Sequence, residues 1–240
     1  SGSPSAPMSV TVGLLMCGHV HPDALDLGGD YPELFTSLLG PLGIEVVPYA
    51  AEDGQLPQSI DECDAWITSP SRNSVLDDLP WIHRLGDFVM EAVVRERPFV
   101  GICFGHQVLA TLFGGTVERA AVGWGVGVKE YEVTERRPWM VPARDRVSLV
   151  ASHEDQVTRL PDDATLLMRS DYCPIAAFEL GPRCVTLQPH IEFSTQISSR
   201  LIDLRHDLIG AEVAAAARAT LGRTPDRALV AGWFAEFIGS

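Results

Sequence analysis

The stretch Phe99-Val100-Gly101-Ile102-Cys103-Phe104-Gly105-His106-Gln107 decides the fold. Phe99–Cys103 is a short apolar run of strand length. Gly105–Phe113 then places its apolar residues at helical spacing. A buried strand therefore runs straight into a helix, with a cysteine at the join. A Gly-x-Cys-x-Gly join puts that cysteine on a tight turn, whose crowded and strained backbone needs small neighbours. The thiol then sits at a helix N-terminus, where the dipole and free N–H groups favour the thiolate. The N–H of Phe104 is placed to help hold an oxyanion. The bland alternative is a core cysteine, since free cysteine is among the most buried residue types. On this stretch alone a nucleophile and a core thiol are equally good readings.

Outward from the join, the same alternation repeats. Ser9–Cys17 reads as a buried strand, Tyr31–Leu39 as a helix closed by Gly43, and Ile44–Tyr49 as a second strand. Ala65–Ser69 is a third strand, after the acidic stretch Asp61–Asp64. Pro80 then opens a helix at its favoured first-turn position, running to about Arg97. Its residues Ile82, Leu85, Phe88, Val89, Ala92 and Val93 recur at three and four, which marks one buried face. This β-α-β-α order predicts an α/β fold, a mostly parallel sheet covered by helices. The middle of the chain reads as short strands at Val117–Arg119, Val126–Val133, Val147–Ala151, Thr165–Met168, Ile175–Glu179 and Cys184–Leu187. The Ala-rich remainder reads as helix, roughly Ser194–Leu221 and Asp226–Ile238. One domain is expected over residues 9–240, preceded by a leader or expression remnant at residues 1–8.

Composition limits the functions open to such a fold. Hydrophobic residues make up 46% and charged residues 21%, ordinary values for a soluble globular protein. No apolar run reaches the roughly 18–20 residues that span a bilayer, so no membrane partner is expected. The net charge of −14 repels phosphate backbones, which argues against nucleic acid. Five cysteines at irregular spacing, with no C-x-x-C, argue against a disulfide framework and a zinc ribbon. A reducing cytoplasm fits best.

A thiol nucleophile needs a base, and the base needs an orienter. Leu187-Gln188-Pro189-His190-Ile191-Glu192-Phe193 offers both just after a strand. In an extended segment, residues two apart point the same way. Glu192 can then accept from one nitrogen of His190 while the other faces Cys103. An H-x-E pair by itself is commonly incidental, and its force comes from occurring with the cysteine elbow. His106 is the poorer base, a helix residue expected to be packed or solvated. His83 and His206 read as surface residues. Cys17, His19, His21 and Asp23 are metal-ligand types after the first strand, but a loop beside the substrate mouth is the simpler reading, and no metal site is expected. Asp30 and Tyr31 read as a helix cap. Trp124, between glycines, reads equally well as a pocket cover and as a packed surface aromatic.

Taken together, these segments resemble the class I, triad-type glutamine amidotransferases over most of Met8–Gly239. Gly101–Gln107 is similar to the family's nucleophile elbow, and Gly114-Gly115-Thr116-Val117 to the G-G-x-V that follows it. Ser152-His153-Glu154-Asp155-Gln156-Val157 resembles its S-H-x-D-x-V segment, and Gln188-x-His190-x-Glu192 its Q-x-H-P-E. Asp77–Ile82 and Gly123-Trp124-Gly125 resemble stretches of stand-alone members. The resemblance implies a flavodoxin-like fold and a Cys103–His190–Glu192 triad that cleaves glutamine or a γ-glutamyl amide through a γ-glutamyl thioester, with no cofactor. It implies an oxyanion hole from the N–H groups of Phe104 and Ser71, and substrate contacts from Gln107, Ser152, His153, Glu154 and Asp155. Two departures stand out. Ser69-Pro70-Ser71-Arg72 replaces the family's S-G-G-P loop, and Ile191 replaces its proline.

Three functions follow from the resemblance. One is a stand-alone hydrolase of γ-glutamyl small molecules, towards which the variant Glu154 leans. Another is a glutaminase that delivers ammonia to a separate synthetase protein, because no G-x-x-x-x-G-K-[ST] nucleotide loop occurs in this chain. The third is a non-catalytic binding or regulatory member, which only the Pro70 loop favours.

Overall fold

A computed structural model describes residues 9–240, so the expectation for residues 1–8 lies outside the described residues. The elements in chain order are β1 (Val10–Leu15), α1 (Tyr31–Leu39), β2 (Ile44–Tyr49), β3 (Ala65–Thr68), α2 (Pro80–Val94), β4 (Phe99–Ile102) and α3 (Phe104–Leu112). Then follow β5 (Thr116–Arg119), β6 (Gly125–Val133), β7 (Arg146–His153), β8 (Asp155–Arg159), β9 (Ala164–Arg169), β10 (Ala177–Leu180) and β11 (Cys184–Leu187). The helices α4 (Thr195–Leu204), α5 (His206–Ile209), α6 (Ala211–Thr220) and α7 (Arg227–Gly239) close the chain.

The expected α/β architecture is present. A nine-stranded sheet runs β2-β1-β3-β4-β11-β10-β9-β6-β7. Its first five strands are parallel, with Leu15 opposite Thr68 and Leu187 opposite Ile102. The other four extend it antiparallel, and β5 pairs with β8 in a separate ribbon. Strands β3, β4 and β11 are buried along their whole length, as their unbroken apolar runs require. One core lies beneath α1 and α7, a second beneath α2 and α3, and a smaller cluster joins Val126 of β6 to Ile202, Ile209, Ala214 and Ala217. Across the second, Trp66 of β3 meets Phe88 of α2 edge to face at 4.9 Å. Burying a large apolar side chain of this kind stabilises the fold by about 1.5–3 kcal/mol.

Local signals set the helix ends. Asp30 and Glu33 form a reciprocal capping box on α1, and Gly43 turns the chain left-handed before β2. The expected helix over Ser194–Leu221 is interrupted. It breaks at Arg205 and again at Gly210, whose φ of 87° no helix accommodates. The strand β8 was not anticipated.

This topology dictates where a ligand binds. With β2 on one side of β1 and β3 on the other, the strand order reverses beside β1. In open α/β sheets, the crevice at the carboxyl ends of such strands is the binding position. The loops after β1, β3, β4 and β11 all open there, which brings Cys17–Asp23, Ser69–Arg72, Cys103 and Gln188–Phe193 to one edge.

Candidate active site

Cys103 occupies the turn between β4 and α3 with φ 51° and ψ −92°, a conformation that few residues other than glycine adopt. Holding it costs of order 1–3 kcal/mol. The flanking glycines are obligatory on steric grounds. A Cβ on Gly101 would lie 2.8 Å from the Gly105 backbone, and one on Gly105 would lie 2.0 Å from Thr68 Oγ1. The Cys103 N–H is anchored to the Leu187 carbonyl at 2.7 Å, which ties the elbow to β11.

The chain leaving β11 brings His190 and Glu192 to the same place. His190 is 2% exposed and Glu192 wholly buried, and His190 Nδ1 donates to Glu192 Oε1 at 2.6 Å. Phe193 stacks on the imidazole with ring centres 4.4 Å apart and planes 17° apart, and Tyr31 stacks on Phe193 in turn. Arg227 of α7 donates to the carbonyls of Ile191 and Glu192, clamping the segment from behind. His190 Nε2 is buried without a hydrogen-bond partner. Burial alone would lower its pKa, but the Glu192 carboxylate, with the Cys103 sulfur, overrides this and pushes it up to about 10. An acidic group and a sulfur thus hold a proton on this ring.

Gln188 and Gln107 link the elbow to the loop after β7. Gln188 Nε2 donates to Cys103 Sγ at 3.5 Å, while Gln107 Nε2 donates to Gln188 Oε1 and to the Asp155 carbonyl. A cleft of about 460 Å³ opens from Cys103 over Ser152, His153, Glu154, Asp155 and Trp124. Ser71 lines it too. Its loop is shaped by Ser69, whose hydroxyl accepts from the Cys17 N–H and donates to the Pro70 carbonyl. Among the described residues the Ser71 N–H makes no hydrogen bond, and the Phe104 N–H, first in α3, has no acceptor within its helix.

The sequence model of the class-I glutamine amidotransferase family matches residues 24–203, which hold Cys103, His190 and Glu192. The chain belongs to that family. Among the relatives of this amidotransferase, gamma-glutamyl peptidase 3 of Arabidopsis thaliana is 29% identical over 84% of this chain and 85% of its own. A glutamine-hydrolyzing GMP synthase subunit from Methanopyrus kandleri is 28% identical over 71% of this chain and 89% of its own. The fold matches that of a Thermotoga maritima glutamine amidotransferase with a TM-score of 0.75, at 21% identity, over 98% of this chain and all of the other.

Other polar residues of the amidotransferase are engaged with partners of their own. His106 is buried, bonded to Thr186 and the Ile175 carbonyl, and burial pushes it down to about 3. His153 is also buried and pushed down to about 4, its ring between the Asp155 carbonyl and the Tyr172 hydroxyl. His83 pairs with Asp78 at the surface, and His206 is exposed. Asp30 caps α1 as expected, and it also holds His19, which reaches Glu52 on its other side. Cys17 is buried with its thiol on the Leu15 carbonyl. Among the described residues no three His, Cys, Asp or Glu side chains are grouped to hold a metal ion. Cys17, Cys63, Cys173 and Cys184 are all buried, and burial pushes every one of their thiols up.

Sequence reading missed Tyr31 as the floor beneath Phe193, and it missed Gln188, although that residue lies within the recognised motif. It also missed Arg72 and Arg205, which both line the space around Cys103. Arg205 carries a signal only in retrospect: it is the residue at which α4 breaks.

Proposed function

We propose that this amidotransferase is a cysteine-dependent hydrolase of γ-glutamyl amides, glutamine included. The observation that carries the reading is the buried His190–Glu192 pair beside a cysteine held at positive φ. A lone buried pair is expensive, and a strained elbow is expensive; catalysis gives both a reason to coexist. Cys103 attacks the amide carbon as a thiolate, its proton already carried by His190. The N–H groups of Phe104 and Ser71 hold the oxyanion, acting where charge develops. The C–N bond breaks as His190 returns the proton to the leaving nitrogen. Water, deprotonated by the His190 left neutral by that transfer, then attacks the thioester, releasing glutamate and restoring the thiolate beside the protonated imidazole. Glu192 holds the imidazole in one tautomer and stabilises its charged form. Gln107 and Ser152 to Asp155 line the position of the glutamyl group.

Cys103→Ala tests this. It is expected to abolish glutamate release from glutamine and from γ-glutamyl amides, with circular dichroism and melting temperature close to wild type. Equal turnover by wild type and variant would end the reading. A second reading, ammonia supply to a synthetase partner, is favoured by the Methanopyrus kandleri relative, which is named as one part of a GMP synthase. Glutamine turnover that rises only when a partner protein is added would select it.

A further inference from the structure

Two pockets meet at Cys103 and share Arg72 and Arg205 in their linings, but they differ in charge balance. In the larger, Asp77, Glu154 and Asp155 offset Arg72, Arg119 and Arg205. The smaller, about 50 Å³, lies on the His190 side and includes Arg72 and Arg205 with no carboxylate in its lining. His19 at its edge is already neutralised by Asp30 and Glu52. In a chain of net charge −14, two guanidiniums on one pocket without an acidic partner are unexpected. Arg119, across the cleft, shows the ordinary arrangement, lying against Glu154 and Asp155. Among the described residues Arg205 makes one side-chain hydrogen bond, from Nη1 to Ser152 Oγ at 2.8 Å, out of five N–H donors. Burial pushes its pKa down, and the charge of Arg72 adds to that push, against Tyr31 and Cys103. The two cations are near enough to repel one another.

The pocket that holds them without a carboxylate is also the one that His190 lines, and this has a chemical meaning. If His190 hands a proton to the leaving nitrogen, the departing amine lies in the smaller pocket. A water-sized group needs only about 10–15 Å³ of such space, so ammonia leaves most of this pocket unfilled. We infer that Arg72 and Arg205 bind a carboxylate on the leaving amine, making γ-glutamyl amino acids and peptides the substrates and Arg205 the residue that selects them. A planar guanidinium with free donors matches a carboxylate in both geometry and charge. This inference rests on the γ-glutamyl hydrolase reading and narrows it.

The test compares γ-glutamylalanine with γ-glutamylalanine amide, which differ only in the charge at the far end. In wild type, kcat/KM is expected to favour the free carboxylate by about tenfold or more, the worth of one charge-assisted pair. Within Arg205→Gln, and separately within Arg72→Gln, the ratio between the two substrates should fall towards one, and Arg205→Lys should keep part of it. Adding the same two ligands to the Cys103→Ala protein gives the corresponding ratio of Kd values without turnover. Equal use of the two compounds by wild type would overturn the inference while leaving γ-glutamyl hydrolysis standing. So would a variant that slows both equally, since the arginines would then serve the glutamyl half. Failure of wild type to release glutamate from either compound would remove the hydrolase reading itself, and with it the inference.

Discussion

Cys103 and Glu192 are each held at a cost that their neighbours meet. The elbow's positive φ survives because Leu187 anchors the Cys103 N–H and because α3 begins immediately after it. Glu192 is buried with one oxygen on His190 and the other unpartnered. A carboxylate so placed has one task within reach, which is to fix and charge the imidazole. Glu192→Gln should therefore cut kcat roughly 10²–10⁴-fold, because an amide neither stabilises the imidazolium nor selects the same tautomer. The accompanying change is a fall in the pKa of His190, read from the pH–rate profile. A kcat within a few-fold of wild type would show that Glu192 has no such role. The pair was readable in sequence because an extended H-x-E fixes its own geometry. Arg72 and Arg205 were not, because only the tertiary fold sets them on one pocket.

Among elements, the β4–α3 join is tightly constrained in sequence. Gly101 and Gly105 face backbone and the Thr68 side chain within 3 Å of where a Cβ would stand. Gly101→Ala and Gly105→Ala should each destabilise the protein by about 1–3 kcal/mol or more. Thermal melts would register this. Thr68→Gly should partly restore Gly105→Ala, whose clash is with that side chain, but not Gly101→Ala, whose clash is with the Gly105 backbone and the Leu109 side chain. Rescue of both would place the strain elsewhere. The buried parallel strands were legible because each is an unbroken apolar run between turn signals. The ribbon strand β8, Asp-Gln-Val-Thr-Arg, was not, since three of its five residues are exposed or half-buried and its pairing with β5 is a long-range choice. The breaks at Arg205 and Gly210 were hidden by an Ala-rich composition that favours helix throughout.

For the whole molecule, three buried histidines set opposite limits on stability. His106 and His153 have pKa values lowered in the fold, to about 3 and about 4. Below their ordinary value near 6.5 the unfolded chain takes up protons that the fold refuses, so stability falls as pH drops from about 6.5 towards 4. Each group adds at most about 1.4 kcal/mol per pH unit to that slope. His190 acts the other way. Its raised pKa contributes stability that is complete below about 6.5 and is lost as pH rises through about 10. Urea midpoints from pH 4 to 10 should therefore peak near neutrality, and His190→Asn should flatten the alkaline limb alone. A profile flat on both limbs would contradict these assignments.

The placement of the sulfur atoms has a last consequence. Four of the five cysteines lie in the core with thiols driven towards their neutral form, and only Cys103 borders the cleft. Oxidants and alkylating agents act on exposed thiolates. The folded protein therefore offers them a single target, and its vulnerability is concentrated in the atom proposed to do its chemistry. Damage and inactivation become the same event, with little modification elsewhere to dilute or disguise it.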